Sequence, residues 1–233
     1  MLSGLPDIVN ELARHGKHIV LNTNGELLDD SRVAALRIGH NIQVVGISID
    51  GHDAAAHAAM RRGASFERTI AAFRRVRRIP NVRLKVATVV SEVNLDGMQQ
   101  MATLVANLQP DVWRLYQYTS RGMGAPNKNR FAITDQVFDE VLARLRRTHP
   151  DLSISSSSSS ESICFIIDHK GDVLRPSDGG YDLVGNALTH PIDDIWRGQW
   201  SQRQHVVFNK RWLESPSAVT TLTIGGTESV PRQ

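Results

Sequence analysis

The segment Gln43–Gly51 constrains the fold most strongly, because an apolar run ends there abruptly in polar residues. Its first half suits a buried strand, and Ser-Ile-Asp-Gly follows directly. The segment Ile19–Gly25 has the same form, an apolar run that ends in Asn-Thr-Asn-Gly. In parallel α/β sheets, ligands bind beyond the carboxyl ends of the strands. Two polar strand ends separated by one helix therefore predict a shared binding site.

The remaining pattern up to Thr119 alternates short apolar runs with amphipathic helical segments. Helices of 10 to 15 residues between strands are typical of βαβ units with a parallel sheet and right-handed crossovers. The sequence thus predicts an α/β fold with four strands in this region: His18–Leu21, Ile42–Ile49, Val82–Val90 and Val112–Tyr118.

Three regions are predicted. Residues 1–150 form the main α/β unit, and residues 151–214 form a small extension with a hairpin and a helix. Ser153–Ser160 is nearly all serine, which favours a low-complexity joint with no means of burying a core. Serine, threonine and glycine become frequent after residue 214. Residues 215–233 are therefore expected to be a poorly ordered tail.

Composition gives no support to several functional classes. A net charge of +3 is too small to indicate nucleic-acid binding, and the arginine clusters lie on predicted helices, where a solvated face is the simpler interpretation. No apolar run approaches the roughly 18 residues of a membrane span, and no signal peptide is recognisable. Cys164 is the single cysteine, so no internal disulfide is possible. A cytoplasmic location is expected.

Weaker motifs have ordinary interpretations. The Gly-x-Gly within Ser120–Asn127 lacks the third glycine of a dinucleotide fingerprint, and a substrate loop is the better prediction. His52 and His57 are five residues apart, whereas paired ligands on a helix are four apart, so both are predicted to be exposed loop histidines. Cys164 lies in an apolar run and is expected to be a small buried residue.

An ordered set of segments resembles the radical S-adenosylmethionine (SAM) enzymes, particularly the viperin branch. The C-terminal residues Phe165–Val173, Gly185-Asn186 and Ile195-Trp196 resemble the extensions of peptide- and nucleotide-modifying members. The segments that carry the main resemblance are Asn22–Gly25, Gly46–Gly51, Met60–Phe66, Lys85–Val90, Asn94 and Trp113–Gln117.

The resemblance implies a partial parallel (β/α) barrel that lacks its first strands, followed by a small α+β extension. In the family, a [4Fe–4S] cluster cleaves SAM to a 5′-deoxyadenosyl radical, and its ligands come from a Cys-x3-Cys-x2-Cys loop. One cysteine cannot supply three thiolates, and no Gly-Gly-Glu stretch is present either. The cluster is therefore expected only in an intact parent or with a separately encoded N-terminal fragment, and no metal ligand or catalytic residue is assigned.

The resemblance also assigns site residues. Ser48 would contact the amino-acid moiety or ribose of SAM, and the Arg62 guanidinium would pair with its carboxylate. Lys85 and Arg114 match basic positions that hold the triphosphate in viperin-like nucleotide dehydratases, whereas Ala87 and Val112 stand where that branch has an asparagine and a further basic residue. The implied SAM-binding set is Asn22, Thr23, Asn24, Ser48, Asp50, Arg62 and Asn94. The implied set for a peptide or small-molecule substrate is Lys85, Arg114, Gln117, Tyr118 and Arg121.

Simpler interpretations remain for these residues. Ser48 and Asp50 suit an ordinary strand-ending turn, Arg62 could be a surface arginine, and Lys85 could extend to solvent. Two functions are therefore compatible with the sequence. One is part of a radical SAM enzyme that modifies a peptide or nucleotide-like substrate. The other is a non-catalytic binding or partner module, in which a strand edge near His18 would be left open for pairing.

Overall fold

The computed structural model describes residues 4–120, 126–157, 166–177, 180–200 and 219–223. Nine strands are described: β1 His18–Thr23, β2 Val44–Ser48, β3 Arg83–Val90, β4 Val112–Gln117, β5 Ile154–Ser157, β6 Ile166–Ile167, β7 Asp172–Ser177, β8 Gly180–Asn186 and β9 Val219–Thr223. Eight helices accompany them: α1 Leu5–Arg14, α2 Asp30–Ala35, α3 Ala54–Met60, α4 Phe66–Arg77, α5 Met98–Leu108, α6 Lys128–Phe131, α7 Asp135–Thr148 and α8 Ile192–Trp200.

The main sheet has the order β5-β4-β3-β2-β1-β9, and all of its pairings are parallel. The four predicted strands are confirmed as β1 to β4, and the predicted α/β class with a partial parallel barrel is confirmed with them. The serine-rich segment differs from its predicted role as a joint. Ile154–Ser157 form β5 and pair with β4, because the backbone of a serine-rich strand makes the same ladder as any other.

One face of the sheet forms the hydrophobic core with the helices. Alternate residues of the strands point to this face, including Ile47, Val86 and Trp113, each fully buried. Phe73 of α4 and Val105 of α5 are buried in the same core cluster. Because strand side chains alternate with a period of two, the residues between them point to the other face. That second face, which we call the inner face, carries the polar residues.

Side-chain caps begin several helices that follow the carboxyl ends of strands. Asp53 accepts a hydrogen bond from the Ala56 N–H at 2.7 Å, and Ser65 accepts one from the Arg68 N–H at 3.2 Å. Such caps satisfy backbone donors that have no partner inside the helix. They start α3 and α4 within the segment that leads away from β2, and so they fix the course of the chain beside the strand ends.

The C-terminal part contains a separate antiparallel sheet of order β6-β7-β8, as predicted for the small α+β extension. Val173 is fully buried within it, and Ile195 of α8 packs against Gly185. A Cβ at Gly185 would lie 2.8 Å from Ile195 Cδ1, so the close approach of the helix requires glycine there.

The edge of β1 is occupied. Residues 219–223 lie within the segment predicted to be a poorly ordered tail, yet they form β9 and pair with β1 from His18↔Val219 to Asn22↔Thr223. The strand edge that the sequence predicted to be open is thus paired, and the other residues of 215–233 lie outside the described residues. No described helix has the length and apolar character needed to cross a bilayer.

Candidate functional site

Strand register brings four of the predicted site residues onto the inner face. Asn22 pairs with Gly46, which pairs with Lys85, and in the next row Ser48 pairs with Ala87, which pairs with Arg114. Asn22 Oδ1 and the end of the Lys85 side chain both lie over Gly46, where a Cβ would be 3.1 Å from Lys85 Nζ. Glycine at this position therefore leaves room for both polar groups.

Thr23 lies on the opposite face, because it pairs with the fully buried Ile47. Its hydroxyl accepts a hydrogen bond from the Gly25 N–H at 3.1 Å, and Asn24 Oδ1 accepts one from the Glu26 N–H at 3.2 Å. Both side chains are thus engaged in the turn after β1. Gly25 has a φ of +81°, a conformation that favours glycine.

Asp50 forms a buried latch between two strand ends. It is 2% exposed, and one carboxylate oxygen forms an ion pair with Arg61. The other oxygen accepts a hydrogen bond from the Val89 N–H at 2.7 Å. Two acceptor oxygens with two donors leave this carboxylate well satisfied. The chain leaving β2 is thereby tied both to β3 and to the end of α3.

Asn94 extends the same latch. Its Nδ2 donates to the Asp50 carbonyl at 2.9 Å and to the Val89 carbonyl at 2.8 Å, while its Oδ1 accepts from the Ser91 N–H at 2.9 Å. The side chain is 6% exposed and joins the ends of β2 and β3. Asp50 and Asn94, both predicted to contact SAM, are therefore placed where they hold the loops beside the inner face.

His57 contradicts its prediction as an exposed loop histidine, because it is fully buried. Its Nδ1 accepts a hydrogen bond from the Asp50 N–H at 3.3 Å, and its ring lies 5.9 Å from that of Phe66. Burial lowers the pKa of His57, with the Asp50 carboxylate acting in the opposite direction. Gly51 makes the approach possible, since a Cβ there would overlap the His57 and Ala56 backbone. Spacing alone did not reveal this packing.

The two neighbouring arginines at the end of α3 have different surroundings. Arg61 is the partner of Asp50 and is about one-third exposed. Arg62, the residue predicted to bind the SAM carboxylate, is exposed in the turn between α3 and α4. No sequence signal separates the two arginines, because either could follow the helix with its side chain toward the strand ends.

Lys85, Arg114 and Tyr116 lie on the inner face in three successive rows, because Lys85 pairs with Val112, Ala87 with Arg114 and Val89 with Tyr116. Lys85 is 7% exposed, and its Nζ donates to the Tyr116 hydroxyl at 3.5 Å. The Arg114 guanidinium carbon lies 5.6 Å from the centre of the Tyr116 ring, a cation–π distance. Ser155 of β5 pairs with Arg114 in register, and its Oγ is a buried hydroxyl that forms no hydrogen bond within the described part of the chain.

The remaining predicted substrate residues lie elsewhere. Gln117 pairs with the fully buried Val90, and its Nε2 donates to Asp135 Oδ1 at 2.8 Å at the start of α7. Tyr118 stacks on Phe131 with ring centres 5.5 Å apart, and burial raises its pKa. Arg121 lies outside the described residues. Register thus separates Gln117 from Lys85 and Arg114.

The described residues contain no group of three His, Cys, Asp or Glu side chains that could hold a metal ion. Cys164 lies outside the described residues, and it is the only cysteine of the chain. A [4Fe–4S] cluster needs several thiolate ligands. The donor set of this chain therefore does not fit such a cluster.

Comparison with known proteins gives a family match for the part of the chain that builds the strand ends. Residues 1–105 match the model of the Radical SAM superfamily. The matched segment contains β1 to β3 and the latch residues Asp50 and Asn94, whereas Arg114 and Tyr116 lie beyond it. No curated protein shows significant sequence similarity to the chain.

Solved structures share the fold at low identity. A domain of pyruvate-formate lyase-activating enzyme from Bacteroides vulgatus ATCC 8482 is 18% identical with a TM-score of 0.52, covering 66% of this chain and 89% of that one. Native anSMEcpe with bound AdoMet and Cp18Cys peptide is 17% identical with a TM-score of 0.62, covering 84% and 63%. The chain thus spans under two-thirds of the length of anSMEcpe. These likenesses support the partial parallel (β/α) barrel fold.

Proposed function

We propose that this chain belongs to the radical SAM superfamily and binds SAM at the carboxyl ends of β1 and β2. The observation that carries the proposal is the convergence of Asn22 and Ser48 on one face at adjacent strand ends. Both lie within the segment matched by the superfamily model. Ligands of parallel α/β sheets bind at such strand ends.

The predicted residues divide into two roles in this proposal. Ser48 and Asn22 supply hydroxyl and amide groups that hydrogen-bond the bound molecule, and the exposed Arg62 meets the SAM carboxylate with its guanidinium fork. Asp50 and Asn94 act indirectly, because their side chains hydrogen-bond to the backbone at the ends of β2 and β3. Their side-chain atoms are engaged with β3, the β3–α5 loop and Arg61, so they position the strand ends. Thr23 and Asn24 shape the preceding turn.

When bound in radical SAM enzymes, SAM supplies a 5′-deoxyadenosyl radical after reductive cleavage by a cluster. The residues of this chain cannot ligate that cluster, since one thiol is present. We therefore infer that radical chemistry requires thiolates from another segment or chain. A peptide or nucleotide-like molecule is the proposed substrate, and the binding of a Cp18Cys peptide by anSMEcpe supports the peptide class.

The alternative proposal is a non-catalytic module that keeps the SAM-type site without radical chemistry. The single cysteine favours it, because the chain retains polar strand ends while lacking the ligands for a cluster. Both proposals include SAM binding, but only the enzyme proposal requires an iron–sulfur cluster. Two separate measurements therefore distinguish them.

The first experiment is isothermal titration of the chain with SAM. The Arg62→Ala variant should weaken binding by about tenfold, which corresponds to the loss of roughly one charge-assisted hydrogen bond. Arg14→Ala is the matched control, because Arg14 is 77% exposed at the end of α1, which leads into the amino end of β1 rather than its carboxyl end. Absence of SAM binding to the wild-type chain, or equal affinity of the Arg62→Ala and Arg14→Ala variants, would contradict the assignment.

The second experiment is anaerobic iron–sulfur reconstitution of the chain alone. We expect no four-iron cluster, whereas a reconstituted mixture with a peptide that carries Cys-x3-Cys-x2-Cys should form one if the enzyme proposal holds. A stable four-iron cluster on the isolated chain would overturn the inference from cysteine content. SAM binding without any cluster in either mixture would favour the non-catalytic module.

A further inference from the structure

The imidazole of His57 is hydrogen-bonded to the backbone that follows β2. Its Nδ1 accepts from the Asp50 N–H at 3.3 Å, and the side chain is fully buried. Because Nδ1 is an acceptor, the neutral ring carries its hydrogen on Nε2. Nε2 is also buried, and it has no hydrogen-bond partner within the part of the chain that the structure describes. The hydrogen bond from the Asp50 backbone is thus the polar contact that orients the ring.

The same stretch of backbone is also bonded to β3. The Ile49 N–H donates to the Ala87 carbonyl at 2.9 Å, and the Ile49 carbonyl accepts from the Thr88 hydroxyl at 2.6 Å. Ser48, a proposed SAM contact, immediately precedes Ile49. The end of β2 is therefore hydrogen-bonded both to β3 and to His57 of α3, and the position of Ser48 depends on both connections.

His57 also belongs to the helix that leads to Arg62. The Arg61 N–H donates to the His57 carbonyl at 2.8 Å, so the residue before Arg62 is bonded directly to His57. Gly51 allows the close approach of α3 to the strand end, since a Cβ there would overlap the His57 backbone. His57 thus joins the two positions from which SAM is proposed to be bound, Ser48 on β2 and Arg62 after α3.

Protonation of His57 breaks this connection. A hydrogen added to Nδ1 faces the Asp50 N–H, so two donors meet and the backbone N–H loses its acceptor. Burial favours the neutral imidazole and lowers its pKa, and the Arg61 guanidinium acts in the same direction. The carboxylates of Asp50, Glu26 and Glu67 raise the pKa of the ring. The surroundings therefore contain charges of both signs, while burial opposes the charged form.

We propose that His57 is a positioning residue for the SAM site and that strong binding of SAM requires its neutral imidazole. The proposal rests on the proposed function, in which Ser48 and Arg62 contact SAM. His57 acts on these contacts through its hydrogen bond with the Asp50 N–H and through the course of α3. The affinity for SAM should therefore fall when this hydrogen bond is removed, either by substitution or by protonation.

The first test is isothermal titration with SAM at pH 7.5. His57→Leu removes the acceptor of the Asp50 N–H, so its SAM affinity should fall about tenfold, the effect of one buried hydrogen bond. His57→Asn keeps an acceptor near the position of Nδ1 and should stay within about threefold of the wild-type chain. His15→Asn is the matched control, because the His15 side chain is 67% exposed after α1. Equal affinities of the two His57 variants would overturn the proposal.

The second test repeats the titrations down to pH 5.5. Wild-type affinity should fall as the pH drops through the pKa of His57, by at most about tenfold per pH unit, because a single proton is involved. His15→Asn should show the same fall, whereas His57→Asn should show a smaller one. Comparison between variants removes the contribution of SAM itself. The same pH dependence in the wild-type and His57→Asn chains would contradict the role of the neutral imidazole.

Nitrogen-15 NMR of the imidazole provides a measurement without SAM. It should show the neutral ring with its hydrogen on Nε2, and the Asp50 amide signal should shift as the ring is protonated. A hydrogen on Nδ1 would overturn the proposal whether or not SAM binds. If NMR shows the expected ring but the wild-type chain binds no SAM, the proposed function fails and the connection of His57 to the strand end stands. If SAM binds and the His57 variants behave like His15→Asn, only the positioning role fails.

Discussion

The latch between Asp50 and Arg61 should contribute far more to stability than a surface ion pair of the same chemistry. The Asp50 side chain is 3% exposed and that of Arg61 31%, whereas the pair Asp30–Arg75 has an Asp30 side chain that is 88% exposed. The substitutions Asp50→Asn and Asp30→Asn remove one charge each and keep the size of the side chain. They therefore form a matched comparison of burial.

The expected magnitudes follow from the contacts. Removing one partner of a buried ion pair typically costs about 3 to 5 kcal/mol, because the other charge is left uncompensated. Arg61 is partly exposed, and Asn can still accept from the Val89 N–H, so about 3 kcal/mol is expected for Asp50→Asn. Exposed pairs contribute about 0 to 1 kcal/mol, so Asp30→Asn should cost less than about 1 kcal/mol.

The assay is chemical denaturation monitored by circular dichroism, with Tm measured in parallel. A loss of about 3 kcal/mol corresponds to a fall in Tm of roughly 6 to 12 °C for a chain of this size. The double variant Asp50→Asn with Arg61→Met should lose less than the sum of the single variants, with a coupling of about 1 to 3 kcal/mol. A cost for Asp50→Asn equal to that for Asp30→Asn would refute the latch.

Two further predictions concern the same loop. Gly51→Ala should destabilise the chain by at least about 3 kcal/mol in denaturation experiments, since its Cβ would overlap the backbone at His57, whereas Gly4→Ala meets no atom within 4 Å and should change stability by less than about 1 kcal/mol. His57 makes stability depend on pH. Burial lowers its folded-state pKa below 6.5, so the unfolded chain takes up the proton first and stability falls as pH drops below about 6.5, by up to 1.4 kcal/mol per pH unit.

The pH effect is isolated with His57→Asn, which keeps a hydrogen-bond acceptor near the Asp50 N–H. Denaturation at pH 7.5 and 5.5 should show a smaller difference for this variant than for the wild-type chain. Equal differences would show that other groups cause the pH dependence. For Gly51→Ala, a stability within 1 kcal/mol of the wild-type chain would show that α3 can shift at low cost.

The main sheet could be predicted because periodicity and turn residues specify strands locally. Apolar and polar residues alternate in Val82–Val90, and Pro80-Asn81 marks a turn just before it. Together these features specify β3. The strand Ile154–Ser157 was missed, since serine carries no hydrophobic pattern and its place in the sheet depends on pairing with β4. Local sequence indicates a strand only where its side chains are buried.

The location of the candidate site at the strand ends could be predicted from the sequence. The roles of its individual residues were harder to predict. Alternation alone could have separated Asn22 from Thr23, because neighbouring strand residues point to opposite faces. The burial of His57 depends on the close contact between α3 and Gly51. Hydrophobic periodicity does not indicate such contacts between separate segments. The positions of Ser155 and Tyr116 beside Arg114 depend on the register of β3, β4 and β5, which local sequence does not specify.

The pairing of β1 with β9 also affects synthesis of the chain. On the ribosome, β1 and its neighbours are synthesised long before Val219. The backbone groups of β1 that pair with β9 therefore lack this partner until β9 has been synthesised. Contacts between such distant segments form slowly, and exposed strand edges promote aggregation in the interval. Nascent chains of this protein should therefore depend on chaperones until β9 has been made.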